Sequence, residues 1–204
     1  GATESRRYGV AVDQKFSRTV FGGIELARRD LSVPFRFLDF DPNTGAVIAD
    51  EVRRGDVNEN LGRAYLFWTP HPWVALSAEY QRERIVTNDD EIARSLSFRS
   101  VQTERLPLGV KFFHPDGFGF SLRGTFFKQD GEFFRNTTGI FESGSDDFFI
   151  ADAALSYRLP KRKGFISAGV NNLTNRSFRY QETDLSNAWI QPVKMAFARL
   201  TLWF

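Results

Sequence analysis

Side chains that could carry out acid–base, nucleophilic or metal chemistry are scarce in this chain of 204 residues. Cysteine is absent, which excludes disulfide scaffolds, thiolate metal sites and thiol catalysis. The two histidines, His71 and His114, are too few for a multi-histidine metal site. Each histidine adjoins proline in a predicted turn, away from any nucleophile or acid–base partner. We therefore expect a protein that is not an enzyme and that holds no metal and no cofactor.

Clusters of acidic residues are the candidates for binding a cation. They lie at 89–91, 146–147 and 39–45. Such clusters can bind Ca²⁺ or bridge lipopolysaccharide phosphates through divalent ions, but acidic residues in polar connections are more often solvated loop charge. The segment 39–45 lacks the ligand spacing and closing glutamate of a calcium loop, so its Pro-Asn-Thr-Gly residues predict a turn instead.

The composition narrows the class of protein. Lys and Arg number 27 against 25 Asp and Glu, a net charge of +2, so no nucleic-acid partner is expected. The longest apolar run, 64–68, is far shorter than the roughly 20 residues of a transmembrane helix. Phenylalanine is unusually common, with 22 copies. A chain rich in Phe and Arg, free of cysteine and polar on average is typical of a membrane β-barrel, in which half of each strand faces lipid and half faces water.

Hydropathy alternates with a period of two along much of the chain, which predicts strands and no convincing helix. The pattern is clearest at the C-terminus, where Ala196, Ala198 and Leu200 share one parity while Phe197 and Arg199 share the other. The predicted strands are 8–13, 20–28, 63–68, 73–83, 105–112, 117–127, 148–159, 166–171 and 196–204.

The connections between these strands alternate between short and long. Short turns rich in Pro, Gly and Asp are predicted at 15–19, 69–72, 114–117 and 160–164. Long polar connections are predicted at 32–59, 87–100, 129–147 and 175–189. Outer-membrane barrels have this alternation because all their short turns lie at one end. The expected fold is therefore all-β, an antiparallel up-and-down transmembrane β-barrel with about nine strands visible.

The face of the strands opposite the apolar one carries charged residues, which must contact water or pair with charges on neighbouring strands. We expect this face to line the barrel lumen. The lumen-facing charges are Glu79, Glu83, Lys111, Arg123, Asp152, Arg158 and Arg199. They could tune pore selectivity, or they could pair across strands and stiffen the wall or hold a plug. Aromatic residues beside the short turns predict one interfacial girdle. Its members are Trp68, Trp73, Phe112, Phe118, Tyr157 and Phe165.

Strand parity predicts that 1–204 is the C-terminal part of a larger barrel. The last predicted strand ends on the short-turn side, so counting back nine strands places residue 1 on the long-loop side. Bacterial single-chain barrels close with an even number of strands and both termini inside. We therefore expect one barrel segment without a plug or periplasmic domain, closed by upstream strands or by another chain.

Two C-terminal segments carry a resemblance to a known family. Ala168-Gly-Val-Asn-Asn-Leu-Thr-Asn-Arg-Ser-Phe-Arg-Tyr180 and the closing Ala198-Arg-Leu-Thr-Leu-Trp-Phe204 resemble the end of TonB-dependent outer-membrane receptors. The penultimate strand of those receptors commonly carries a similar Asn-Leu-Thr segment. Similar barrel ends also follow periplasmic tetratricopeptide repeats in envelope proteins.

The resemblance implies a location in the outer membrane of a Gram-negative bacterium, in contact with its lipid and lipopolysaccharide. It also implies TonB-type energy coupling and recognition of the terminal strand by the barrel-assembly machinery. The residues that form this assembly signal are Ala198, Leu200, Leu202 and Phe204.

Transport of a solute across the outer membrane is the function that the receptor resemblance implies, with external loops that capture the ligand. The candidate contact residues are Arg53, Arg54, Phe133, Phe134, Arg176, Phe178 and Tyr180. The alternative is a barrel that anchors, exports or supports an envelope complex with periplasmic repeats upstream. An upstream plug and coupling box would favour import, whereas helical repeats would favour export or scaffolding. A soluble β-sandwich or lectin-like domain is a third hypothesis.

Overall fold

The computed structural model describes residues 2–135, 137–176 and 194–203, and in them the chain forms one antiparallel sheet of nine strands. Each strand pairs with its neighbours in sequence, in the order β1 to β9. The strands are β1 Glu4–Lys15, β2 Val20–Phe40, β3 Val47–His71, β4 Val74–Thr87, β5 Phe98–Phe113, β6 Phe118–Arg135, β7 Ile140–Arg158, β8 Gly164–Asn171 and β9 Met195–Leu202. The prediction of an all-β, up-and-down antiparallel fold with nine strands is confirmed, and the sheet is not closed.

The sheet has an apolar face and a polar face. Residues directly opposite each other in an antiparallel ladder point to the same side, so the register assigns every strand position to one face. One continuous row of apolar side chains crosses eight strands: Val20, Trp68, Leu76, Val110, Leu122, Ala153, Val170 and Ala196. Large members of this face remain exposed, including Leu122 at 43% and Leu200 at 60%.

Buried side chains lie on the opposite, polar face. Val57, Ile85 and Val101 occupy that face in β3, β4 and β5, where they pack with Ile92 and Phe98. A smaller cluster joins Phe127, Phe148 and Ile150 on β6 and β7. The sheet therefore buries apolar side chains mainly on the face that also carries most of its cross-strand charge.

Short turns join the strands near all four predicted places, although the turn predicted at 69–72 lies at 72–73, and two of the predicted long connections are wrong. Strands β2 and β3 continue through 32–59 and leave only a turn at 41–46, and β6 and β7 continue through most of 129–147. In β3 polar residues occupy both faces, as Asp50, Glu51, Arg53 and Arg54 show, so the apolar–polar alternation that identifies a strand is lost there. Cross-strand ion pairs hold the chain extended, as in the two-bond pairs Arg29–Glu59 and Arg36–Asp50.

The connection predicted at 87–100 contains a helix, α1 (Asp90–Leu96), which the sequence analysis did not predict. Asp89 caps it, because its side chain accepts hydrogen bonds from the backbone N–H groups of Glu91 and Ile92, both at 3.0 Å. The acidic cluster at 89–91 is thus a helix start rather than plain loop charge. A short 3₁₀ turn (Pro160–Arg162) joins β7 to β8. No helix among the described residues is long and apolar enough to cross a membrane.

The Arg36–Asp50 pair near the tip of the β2–β3 hairpin should titrate with pH. The guanidinium holds the pKa of Asp50 below its usual value through a hydrogen bond, and the carboxylate raises the pKa of Arg36, which stays charged. The pair therefore supports the hairpin above the ordinary aspartate pKa of about 3.9 and is lost as pH falls through the lowered value. In an NMR titration the Arg36 Nε–H resonance should shift with a midpoint below that value. Asp39→Asn should leave this midpoint unchanged and Asp50→Asn should remove it, and a midpoint at the ordinary value would contradict the pairing.

Candidate functional site

A cleft on the polar face of the curved sheet brings together charged groups from several strands. Its volume is about 540 Å³, and every strand from β3 to β9 contributes to its lining. Phe67 of β3 and Met195 of β9 line the same cleft, so the sheet curls around its polar face. Cross-strand packing thus places residues that are far apart in sequence around one aqueous space.

The charged wall of the cleft is built from neighbouring strands. Glu79 of β4 accepts hydrogen bonds from Arg63 of β3 and from Gln81, and Arg63 also lies 4.0 Å from Glu25 of β2. The Glu79 side chain is 18% exposed. Because Oε1 of this carboxylate accepts both hydrogen bonds and its charge is paired with a guanidinium, the network stabilises the wall and fixes the position of the charge.

Arg123 and Asp152 form the second charged part of the cleft, directly opposite each other on β6 and β7. Asp152 also accepts a hydrogen bond of 2.8 Å from the backbone N–H of Asn172. This contact ties the turn after β8 to the floor of the cleft.

The Asn172 side chain organises that turn. It is 2% exposed, its amide donates to the Arg176 carbonyl at 3.0 Å, and its carbonyl accepts from Thr174 Oγ1 at 2.8 Å and from the Arg176 N–H at 3.1 Å. Thr174 Oγ1 also lies within hydrogen-bonding distance of the Phe149 carbonyl, at 3.2 Å. The Asn-Leu-Thr segment is therefore a hydrogen-bonded turn fastened to β7, a role that depends on long-range partners and was not predicted from the sequence.

Replacing Asn172 with alanine should destabilise the fold by about 1–3 kcal/mol, because it leaves buried backbone and hydroxyl groups without partners. The free energy of unfolding from a urea titration measures this loss. Asn175→Ala, in the same turn but exposed, is the matched control and should cost less. Equal effects of the two substitutions would contradict the assignment.

The register places all seven predicted lumen-facing charges on the polar face: Glu79, Glu83, Lys111, Arg123, Asp152, Arg158 and Arg199. Only Glu79, Arg123 and Asp152 line the cleft. Glu83 lies nearer the hairpin ends, in a second depression with Arg29 and Glu59. The structure thus brings three of the seven together, and their role in selectivity stays a prediction.

The predicted aromatic girdle divides between the two faces. Trp68, Phe112, Phe118 and Tyr157 lie on the apolar face. The ring of Trp73, in the β3–β4 turn, lies 6.3 Å from that of Phe112. Phe165 differs, because it pairs with Arg158 on the polar face and faces Trp203 at 6.0 Å. It therefore does not share a face with Trp68, Phe112, Phe118 and Tyr157.

Four of the predicted ligand contacts lie in strands rather than in loops: Arg53 and Arg54 in β3, and Phe133 and Phe134 in β6. They lie in strands because the β2–β3 and β6–β7 hairpins are longer than predicted. Arg53 stacks on Phe37 with its guanidinium 3.6 Å from the ring centre, and Arg54 lies 3.0 Å from Glu4.

The remaining predicted residues lie partly beyond the described part of the chain. Arg176 follows the Asn172 turn, while Phe178, Tyr180 and Phe204 lie outside the described residues. Of the predicted assembly signal, Ala198, Leu200 and Leu202 share the apolar face of β9.

Helix α1 is folded across the polar face at the hairpin end of the sheet. Its Ile92 is 2% exposed and Ala93 is fully buried. Gly55 of β3 allows this close approach, because a Cβ at that position would lie 2.4 Å from Ile92 Cδ1 and 2.9 Å from Asp89 Oδ2. An ion pair of 2.6 Å between Arg99 and Asp90 also holds the helix. The connection between β4 and β5 therefore packs against the concave, polar face of the sheet.

Comparison with protein-family models, with curated proteins and with solved structures finds no match to this chain. Within residues 2–135, 137–176 and 194–203, no three His, Asp or Glu side chains come together as metal ligands.

Proposed function

We propose that this sheet is part of the wall of an outer-membrane β-barrel that moves a solute across that membrane. The observation that carries the proposal is the exposed apolar face, continuous across the strands, behind a charged face that is curled around a cleft. A soluble sandwich would cover such a face with a second layer, and none of the described residues does so. Hydrocarbon is the solvent that suits this face.

A barrel in lipid must satisfy all its backbone hydrogen bonds, so the two edge strands need partners. Strands β1 and β9 each pair on one side only within the described residues. We infer that further strands of the protein, or another chain, pair with these edges. The same proposal includes the barrel-assembly machinery as the partner that recognises β9, and a TonB-type coupling protein as the source of energy for import.

Transport is supported by the charge of the cleft and by the helix on the same face of the sheet. Arg123, Asp152 and Glu79 would face solute that passes through the lumen, and α1 would narrow the passage near the external end. A second candidate function is a rigid barrel that anchors or supports an envelope complex. The cross-strand ion pairs favour it, because charges that pair with each other stiffen the sheet and are not available to a solute.

Reconstitution into vesicles tests both the insertion of the sheet into a membrane and the transport of a solute through it. We expect the complete barrel, in which the inferred further strands or chain pair with β1 and β9, to float with the vesicles through a density gradient and to give ion conductance in planar bilayers. Arg123→Glu should then shift the cation-to-anion permeability ratio towards cations, whereas Lys128→Glu on the apolar-face side should not. Failure to float would contradict the membrane wall, and flotation without conductance or solute uptake would favour the anchor over the transporter.

A further inference from the structure

A groove on the apolar face runs between β1 and β4 and has a volume of about 790 Å³. Its floor consists of Ile24, Leu26, Gly62 and Ala64, and Val10 lies beside it on β1. We call it the arginine groove, because Arg28, Arg82 and Arg84 also line it. The register places Arg82 beside Gly62 in the last row of the floor and Arg28 and Arg84 in the next row, towards the tip of the β2–β3 hairpin.

The groove exists because two small residues lie between larger ones. Gly62 is opposite Leu26 on one side and Arg82 on the other, and Ala64 is opposite Ile24 and Tyr80. A Cβ at Gly62 would lie 3.6 Å from Leu26 Cδ2, which is ordinary contact, so the space above this glycine is open. The floor is wide enough for a hydrocarbon chain and apolar enough to favour one.

The charge at the end of the groove is only partly neutralised. Arg28 lies 2.9 Å from Asp30, and Arg82 lies 4.0 Å from Glu104. Among the residues that the structure describes, Arg84 forms no ion pair with a carboxylate. Three guanidinium groups thus face two carboxylates at the edge of an apolar surface. This combination of excess positive charge and apolar area is complementary to an amphiphile with an anionic head.

We propose that the arginine groove binds a lipid with a phosphate headgroup, which lays one acyl chain on the floor and sets its phosphate among Arg28, Arg82 and Arg84. The inference rests on the proposed function, because the groove meets lipid only if the apolar face does. A guanidinium fork matches two phosphate oxygens, and the arginine stems can reach from the hydrocarbon edge towards the headgroup level. The bound lipid would be an annular lipid held at one place on the wall.

Native mass spectrometry of the full chain in neutral detergent tests the site with defined lipids. The probes are diphosphorylated lipid A, phosphatidic acid, and a diacylglycerol with the same acyl chains as the phosphatidic acid but no phosphate. We expect retention of the phosphate lipids and at least a tenfold weaker retention of diacylglycerol. Inorganic phosphate at millimolar concentration should not displace the bound lipid, and displacement by it would overturn the role of the acyl chain.

Two variants separate the parts of the groove. Combined Arg28→Gln, Arg82→Gln and Arg84→Gln should weaken retention of the phosphate lipids about tenfold or more, and Gly62→Leu should do so by filling the floor. Arg7→Gln, which removes a charge from the opposite face of β1, is the control and should leave retention unchanged. Equal retention by the wild type and both groove variants would overturn the site. Vesicle flotation of the wild type is measured separately, so a failed membrane wall is distinguishable from a failed lipid site.

Discussion

Arginine in place of Leu122 should destabilise the bilayer-inserted protein by about 2–4 kcal/mol, the cost measured for a cation on the lipid face near the middle of a barrel strand. Leu122 lies in the middle of the apolar stretch of β6, opposite Val110 and Ala153, and is 43% exposed. A guanidinium there would have to leave the hydrocarbon or thin the bilayer around it. The free energy of unfolding, measured by urea titration of protein in vesicles, gives the effect.

Ser77→Arg is the matched control for this prediction. Ser77 lies on the polar face and lines the cleft, with the uncharged Phe67 and Gly109 opposite it. Because that face is wet in the proposed barrel, the same side chain should cost well under half as much there. Equal costs at the two positions, or no cost at Leu122, would mean that the apolar face does not meet lipid.

Alanine in place of Gly55 should release α1 from the polar face. The added Cβ would press on Ile92 Cδ1 and on the Asp89 carboxylate that caps the helix, and overpacking at such a site typically costs about 1–3 kcal/mol. Trypsin should then cleave after Arg94, on the exposed side of α1, faster than in the wild type. In planar bilayers the single-channel conductance should rise, because α1 would no longer narrow the proposed passage near its external end.

Ile92→Val supplies the control within the same contact. This substitution removes Cδ1, the atom that lies 2.4 Å from the added Cβ. In a double-mutant cycle, Gly55→Ala should therefore cost less in the Ile92→Val background than alone, with a coupling energy of about 0.5 kcal/mol or more. Additive costs would contradict the contact between position 55 and Ile92.

Strands could be predicted wherever every second residue is apolar and the residues between them are polar. In β7, Leu155 and Tyr157 alternate with Ser156 and Arg158, and the structure confirms the alternation as two faces. The extent of the strands was not predictable in the same way. Asp50 lies in a part of β3 where Glu51, Arg53 and Arg54 place polar side chains on both faces, so its extended conformation depends on pairing with Arg36 across the hairpin rather than on a local pattern.

Features that depend on residues distant in sequence could not be predicted from the sequence. Helix α1 has seven residues, too few for a hydrophobic period, and only the cap at Asp89 could have indicated it. The turn at Asn172 depends on Asp152, twenty residues earlier. The cleft requires sheet curvature, which brings Phe67 and Met195 to one space and which no local signal in the sequence specifies.

Spin labels on single-cysteine variants through β6 offer the most direct test of which solvent each face of the sheet contacts. The absence of native cysteine makes such a scan free of background labelling. With the complete barrel reconstituted in vesicles, including the strands or chain that pair with β1 and β9, we expect labels at 118, 120, 122, 124 and 126 to collide mainly with oxygen, which concentrates in hydrocarbon. Labels at 119, 121, 123 and 125 should collide mainly with a water-soluble nickel chelate. Loss of this two-residue period, or chelate access at the even-numbered positions, would contradict the account.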